Sequence, residues 1–454
     1  MRIAFFTSLN PQQSGCSDHA EELLPYLGRY ADVDVMISGS YTPVNAEVTE
    51  RFRILHYREY LKNPSVYDIA VYQVGNHLVQ TGYMIPCLRA APGIVFLQDY
   101  SLQYLVLGLT LGLGDPGALT QALQPVYGER TPQLVRKLLL GLQDPGELTF
   151  AHPFLEAGRG LIIPSAHLLD IVHKQVPHKT ARYISMGLPT ADGGETRHEL
   201  RQKYGYDDDE FIIASVSTLA PKKRLEVLLE ALHKARNGIA KPRLLLVGAG
   251  SPGASVHQMI RELGLADIIE QTGRVEAIHY QHLIRLADIA VDMRDMTAAE
   301  TAHSALRCLR YGTPVISSAS GTFLEIPDSC CLKLARDDDQ ADALAAALLD
   351  FSAHPERLEA MSKAALEYGD EYLSLDLQAR EFIAFFKTVA DTTAGEGRVA
   401  LLEPTASRGK KLYALLYKAA RGFQLVRRYG IADSLRRFRV KLAQRIKAED
   451  SGDI

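Results

Sequence analysis

Short apolar runs recur along the first 186 residues, each set off from the next by polar stretches. Residues 3–7, 33–37, 53–56, 68–74, 94–97, 160–164 and 182–186 are mostly β-branched or continuously apolar. Parallel strands covered on both faces need that kind of run. Between several of them apolar positions repeat every three or four residues, as over 18–27, which predicts helices. The rhythm stops over the Gly- and Pro-rich residues 187–195, which read as a linker. A second series of strands then follows at 212–217, 243–247, 268–272, 289–293 and 315–318, with helices predicted at 224–235, 256–263 and 302–310. Two successive strand–helix series predict an α/β chain of two Rossmann-like domains. Residues 341–387 are helical by pattern, 392–408 irregular, and the chain from Lys410 helical again.

Composition adds a charge asymmetry. The 454 residues carry a net charge of −4, yet 408–447 holds 13 Lys or Arg against one acid, Asp433. That stretch is +12, which leaves −16 for the remainder. Leu, Tyr, Phe, Val and Ile interleave with the cations at helical spacing. This predicts an interfacial helix pair meeting an anionic membrane surface, with Gly422 and the Tyr429-Gly430 step as candidate interruptions; a helix packed on the protein's own acidic body is the alternative. No nucleic-acid motif accompanies the charge. No run of about 18 apolar residues predicts a membrane span, and the first residues turn polar too soon for a signal peptide. The five cysteines fit no zinc spacing, and their odd number speaks for a reducing cytoplasm rather than a disulfide framework.

Four stretches carry candidate chemistry. In "NPQQSGCSD", after the first strand, Gly15 can take positive φ or admit a ligand to the backbone, and Ser17 or Asp18 can cap the following helix. The loop reads as an anion or sugar site, or as a capped turn alone. "LLLVGAGSPG" holds Gly248, Gly250 and Gly253 in dinucleotide spacing, with Glu270 about 20 residues on. That keeps an NAD-dependent oxidoreductase open. In "STLAPKKRLEV", Lys222, Lys223 and Arg224 open a helix, where the dipole disfavours cations. A bound pyrophosphate supplies a reason for them; a solvated basic turn is the other reading. In "AAETAHSALRCLRYGTP", Thr301 and the amides after Glu300 can meet a phosphate. Glu300 would then accept from the hydroxyls of an attached sugar, or serve only as a first-turn acid.

Together these segments resemble the retaining nucleotide-sugar glycosyltransferases of family 4, over roughly residues 1–387. "SLNPQQSGCSDHAEELLPYL", "YDIAVYQVGNH" and "GIVFLQDYSL" are similar to that family's first-domain segments. "VSTLAPKKRLEVLLEA" is similar to the segment whose lysine binds the diphosphate, here Lys223, and "LLLVGAGSPG" to its glycine loop. "QTGRV" is similar to the loop touching the base, at Gly273, Arg274 and Val275. The chain also departs from the pattern. The family's paired glutamates fall on Ala299 and Arg307, with Glu300 one place off, although "AETAHSALR" resembles a bacterial variant. The arginine five places before the lysine is Thr218, and two expected histidines are Gln80 and Gln98.

The resemblance implies a GT-B fold, two Rossmann-like domains facing across a cleft, plus a basic helical tail. Its expected boundaries are an acceptor domain at 1–187, a nucleotide-sugar domain at 188–375, a returning helix at 376–390, and linker and tail at 391–454. It implies transfer of a sugar from a nucleotide diphosphate, with retention, to a glycan or lipid-linked acceptor. No cofactor or metal is expected. Lys223 and Glu300 are the catalytic candidates. Gly15, Gly248, Gly250, Gly273, Arg274, Val275, Thr301 and Arg307 are placed on the nucleotide-sugar side, and Asn76 and Asp99 on the acceptor side. A cytoplasmic enzyme on the inner face of the membrane, serving cell-surface polysaccharide synthesis, is the favoured reading. A non-catalytic nucleotide-sugar-binding or assembly protein is kept beside it because of the missing glutamate.

Overall fold

A computed structural model describes residues 1–39, 41–216, 219, 223–248, 254–294, 301–391, 401–403 and 410–429. The chain divides into two compact units. One contains Met1–Ser185 and returns with Leu375–Ile454; the other contains Met186–Thr297 and Ala302–Ser374.

The first unit is built on seven strands: β1 (Arg2–Phe6), β2 (Asp32–Ile37), β3 (Arg53–His56), β4 (Ile69–Val74), β5 (Ile94–Leu97), β6 (Gly160–Ile163) and β7 (Thr180–Tyr183). All pair in parallel, in the order β3-β2-β1-β4-β5-β6-β7. Strands β4, β5 and β6 are buried along their whole length, which is why their sequences read as unbroken apolar runs. Strand β7 starts two residues earlier than its apolar pattern suggests. It is a mostly exposed edge, and the apolar signal came from Ile184 and Met186, which are buried just beyond it.

The first helix is Gly15–Leu27, three residues longer at its start than the pattern indicates. Its cap is Ser14, whose hydroxyl accepts from the Ser17 amide. The helix Leu375–Ala390 packs against it. His19 Nε2 meets Gln378 Oε1 at 3.0 Å, and Phe382 sets its ring edge-on to Phe96 with centroids 5.0 Å apart. Between β5 and β6 lies a helical stretch that includes Gln103–Leu109, Pro116–Tyr127 and Thr131–Leu139. The chain's last described segments settle on this unit too. Arg89 donates to the carbonyls of Leu401 and Leu402, and Tyr417, in the helix Lys410–Tyr429, packs on the apolar core.

The second unit is a parallel sheet of six strands: β8 (Phe211–Val216), β9 (Pro242–Val247), β10 (Ile269–Gly273), β11 (Ile289–Asp292), β12 (Val315–Ser318) and β13 (Cys331–Leu334). Their order is β10-β9-β8-β11-β12-β13. Strand β13 is absent from the pattern reading because only its first and last residues are buried, so it neither alternates nor forms an apolar run. In both sheets the strand order reverses beside the first strand, between β1 and β4 and between β8 and β11. Open parallel sheets hold ligands outside the carboxyl ends of the strands at such a reversal.

Phe382 is fully buried against Phe96 and Phe386. Phe382→Ala should lower the stability of the first unit by about 3–5 kcal/mol, read as an earlier denaturant midpoint for that unit.

Candidate functional site

The carboxyl end of β11 is the electrostatic centre of the second unit. Asp292, its last residue, and Arg294 are both almost wholly buried. Arg294 Nε lies 2.8 and 2.9 Å from the two Asp292 oxygens, and Nη2 donates to Asp292 and to Ser304 Oγ. Ser304 Oγ in turn donates to Asp292 Oδ2 at 3.2 Å. Burial alone would raise the Asp292 pKa. The Arg294 charge and hydrogen bonds, with the charge of Lys223, outweigh it and hold the carboxyl at about 2.

Lys223 therefore lies near this pair. It is itself buried, just after β8 and two residues before the helix Leu225–Ala235. That helix starts one residue later than its apolar pattern, because Arg224 turns into the left-handed region at φ 51°. The bend sends Arg224 Nη1 to Gln340 Oε1 at 2.6 Å. Gln340 Nε2 donates to Ser318 Oγ at 3.2 Å, and Ser318 Oγ to the Met293 carbonyl at 2.9 Å. A chain of buried hydrogen bonds thus ties the residue after Lys223 to the residue before Arg294. Among the described residues, two cations, Arg294 and Lys223, thus stand with the single carboxylate of Asp292 in a buried place.

The helix His303–Arg310 begins beside the same pair through Ser304. Its cap, Ala302, offers no side-chain acceptor, so the first amides are uncapped by side chains. The Thr301 hydroxyl has no hydrogen-bond partner among the described residues. Arg307 is half-buried one turn along, with Nη1 3.5 Å from the Tyr311 hydroxyl. Gly248 directly follows β9 and donates its amide to the Gly273 carbonyl at 3.2 Å. Gly273 closes β10 where the register with β9 shifts, and its φ of 68° is one that side chains rarely adopt. Arg274 is exposed and Val275 half-buried beside it. Glu300, Gly250, Thr218 and Lys222 lie outside the described residues.

Glu270 is the second residue of β10, three short of the strand's carboxyl end, and accepts from the Tyr206 hydroxyl at 2.8 Å. An acid meant for a dinucleotide ribose belongs at a strand's carboxyl end, so this placement speaks against the oxidoreductase reading.

In the first unit the acceptor-side candidates gather at the other reversal. The Asn76 amide donates to Asp99 Oδ2 at 2.9 Å. The Asn76 side chain is engaged elsewhere: Oδ1 accepts from the Tyr104 and Leu105 amides, and Nδ2 donates to Gln103. It caps the helix Gln103–Leu109, whose own cap position, Leu102, lacks a suitable side chain. Gly15 is an ordinary first helical residue rather than a positive-φ one, and a Cβ there would meet open space. Burial, with help from Asp99 and Asp18, pushes the neighbouring Cys16 thiol up, so it stays protonated. Gln98 Nε2 sits 3.3 Å from His19 Nδ1, inside the buried joint with Gln378.

Sequence reasoning picked out Lys223 but missed Asp292, Arg294 and Ser304. The available signal was "VDMRD", a buried strand ending on an acid with an arginine two places on.

Two parallel Rossmann-like sheets of this order define the GT-B class. Sucrose-phosphate synthase from Thermosynechococcus elongatus superposes with a TM-score of 0.63 at 18% identity, covering 86% of this chain and 99% of that one. Anabaena HepE, in complex with UDP, superposes at 0.59 with 16% identity, covering 86% and 100%. These likenesses show the fold. Residues 196–368, within the second unit, match the family described as glycosyl transferases group 1. The GDP-mannose-dependent alpha-(1-6)-phosphatidylinositol monomannoside mannosyltransferase of Mycolicibacterium smegmatis is 26% identical over 196 residues, 41% of this chain and 51% of that one. The chain thus spans about half the length of that curated relative.

Because Asp292 titrates at about 2 rather than 3.8, its contribution to stability is fully present above pH 3.8 and is lost as pH falls towards 2. Asp292→Asn should remove that acid dependence. It should also cost about 3–5 kcal/mol at neutral pH by removing the buried carboxylate paired with Arg294. Urea unfolding at neutral and acid pH measures both.

Proposed function

We propose that the chain is a retaining glycosyltransferase that takes its sugar from a nucleotide diphosphate. The observation that carries this reading is the buried Lys223–Asp292–Arg294 cluster at the strand reversal of a glycosyltransferase domain. Its two cations, with the start of the helix His303–Arg310 that no side chain caps, suit a diphosphate that gains charge as the sugar leaves. Lys223 is assigned to the diphosphate. Gly248, Gly273, Arg274 and Val275 are assigned to the nucleotide, with Gly250 and Arg307 beside them on the same reading. Glu300 and Thr301 are assigned to the sugar and phosphate. The electrostatic work falls on these groups, with no metal assigned to it.

The acceptor is proposed to be a glycan or lipid-linked sugar received by the first unit near Asp99, in the synthesis of a cell-surface polysaccharide. The relative named above uses GDP-mannose on a phosphatidylinositol mannoside; guanosine and uridine donors are both candidates here. The enzyme is placed on the inner face of the membrane by its basic segment 408–447. No helix among the described residues is long and apolar enough to cross a membrane.

Lys223→Ala should remove most turnover and weaken nucleotide affinity while leaving thermal unfolding of the first unit unchanged. Unaltered donor kinetics would take Lys223 out of the site. Retention is read by proton NMR of the product's anomeric carbon. Glu300→Gln keeps shape and removes charge, and hydrogen bonds to a charged acceptor are worth about 1.5–3 kcal/mol. It should cut turnover of the sugar donor by roughly ten-fold or more and leave binding of the bare nucleoside diphosphate nearly unchanged. Equal loss for both ligands would move Glu300 to the nucleotide.

A further inference from the structure

The helix Lys410–Tyr429 docks through a mixed face of Lys410, Tyr417, Ala420, Arg421 and Gln424. Lys410 Nζ pairs with the buried Asp115 at 3.4 Å, and Arg421 lies over the Tyr104 ring at 5.3 Å. Gln424 Nε2 donates to the Gly141 carbonyl at 2.7 Å. Two glycines in left-handed conformation let it approach. A Cβ on Gly114 would strike the Lys410 carbonyl oxygen at 1.8 Å, and one on Gly141 would press on Ala420 at 3.2 Å.

The outward side is the apolar one. Leu412, Leu415, Phe423 and Val426 fall at helical spacing and point away from the body, with Leu415 63% and Phe423 72% exposed. Lys411 and Lys418 are exposed on the same helix. A helix that serves only its own fold turns such a stripe towards the core; this one does the reverse. Next to its docking contacts stand Leu113, beside Gly114, and Leu142, beside Gly141, the latter 72% exposed. The apolar surface therefore belongs to the first unit as well as to the helix.

We propose that this stripe, with Leu113 and Leu142, is one seat for the headgroup–acyl boundary of an anionic bilayer. The inference rests on the peripheral placement proposed above and goes further: the helix Lys410–Tyr429 is a docked part of the first unit, and apolar insertion rather than charge alone holds the protein down. Charge complementarity selects the occupant. The segment that carries the stripe has 13 cations against one acid, which suits anionic lipid better than a second copy carrying the same charge.

The test is co-sedimentation of the full-length protein with phosphatidylglycerol–phosphatidylcholine vesicles at low salt and at about 1 M salt, where the screening length is about 3 Å. The intact protein should bind at low salt and keep part of its binding at high salt. Leu415→Ser with Phe423→Ser should bind at least about ten-fold more weakly at both salts, with unchanged thermal unfolding because both side chains are exposed. Leu142→Ser should weaken binding by a smaller factor. If the intact protein binds and the double variant binds equally well, the seat is wrong while peripheral placement stands. If the intact protein ignores the vesicles, both fall. If the double variant instead turns a dimer into a monomer in sedimentation velocity and vesicle binding is unaffected, the stripe belongs to a second copy and the inference is overturned.

Discussion

A carboxylate closed off from water at the end of β11 has to be met by cations, and much of the second unit is arranged around that requirement. Asp292 is held ionised by Arg294 in a two-pronged pair, and Ser304 bridges both groups to the start of the next helix. Such a pair is a weak source of stability, since desolvation offsets most of its Coulomb gain. Its value is geometric. It fixes Arg294 beside the buried Lys223 and sets the uncapped helix start against the pair. The hydrogen-bonded line from Arg224 through Gln340 and Ser318 to the Met293 carbonyl joins the loops after β8 and β11 across β12. An anion arriving there finds its charge partners already ordered, which is what electrostatic preorganisation requires.

The first unit solves a different problem. Its sheet is covered by chain drawn from both ends of the sequence. The helix Leu375–Ala390 locks onto the first helix through His19, Gln378 and the Phe96–Phe382 contact. The side-chain nitrogens of Gln73 and Gln98 lie 3.4 and 3.3 Å from His19 Nδ1, and Gln378 Oε1 lies 3.0 Å from its Nε2. Gln98 thus has a packing role at one of the positions where the family resemblance led us to look for histidine. The helix Lys410–Tyr429 then settles on the helical stretch between β5 and β6, with Tyr417 on the apolar core beside the Lys410 and Gln424 contacts and with Leu412, Leu415, Phe423 and Val426 left in solvent.

Most of the sheet architecture was legible because parallel strands buried on both faces must be apolar throughout, as in β4, β5 and β8. The pattern failed where burial is partial. Strand β13 shows only Cys331 and Leu334 to the core, and β7 is an exposed edge whose apolar signal lies after it. Lys223 was legible because a cation at a helix start needs a reason. Asp292, Arg294 and Ser304 were not: each is common where it stands, and only the fold brings the start of one helix to the end of β11. The tail's periodicity marked apolar residues at helical spacing among cations, and which side faces the body depends on Gly114, Gly141 and Asp115, about 270–300 residues away in sequence. Glu300, which the sequence singled out, lies outside the described residues.

The account turns on a buried, preordered charge cluster that takes a nucleoside diphosphate. Calorimetric titration of the intact protein with UDP, GDP, the matching monophosphates and NAD tests it most directly. The account predicts that one of the two diphosphates binds, that its monophosphate binds at least about ten-fold more weakly, a difference of about 1.4 kcal/mol, and that NAD does not bind. Binding of NAD, or equal affinity for the mono- and diphosphate, would contradict it.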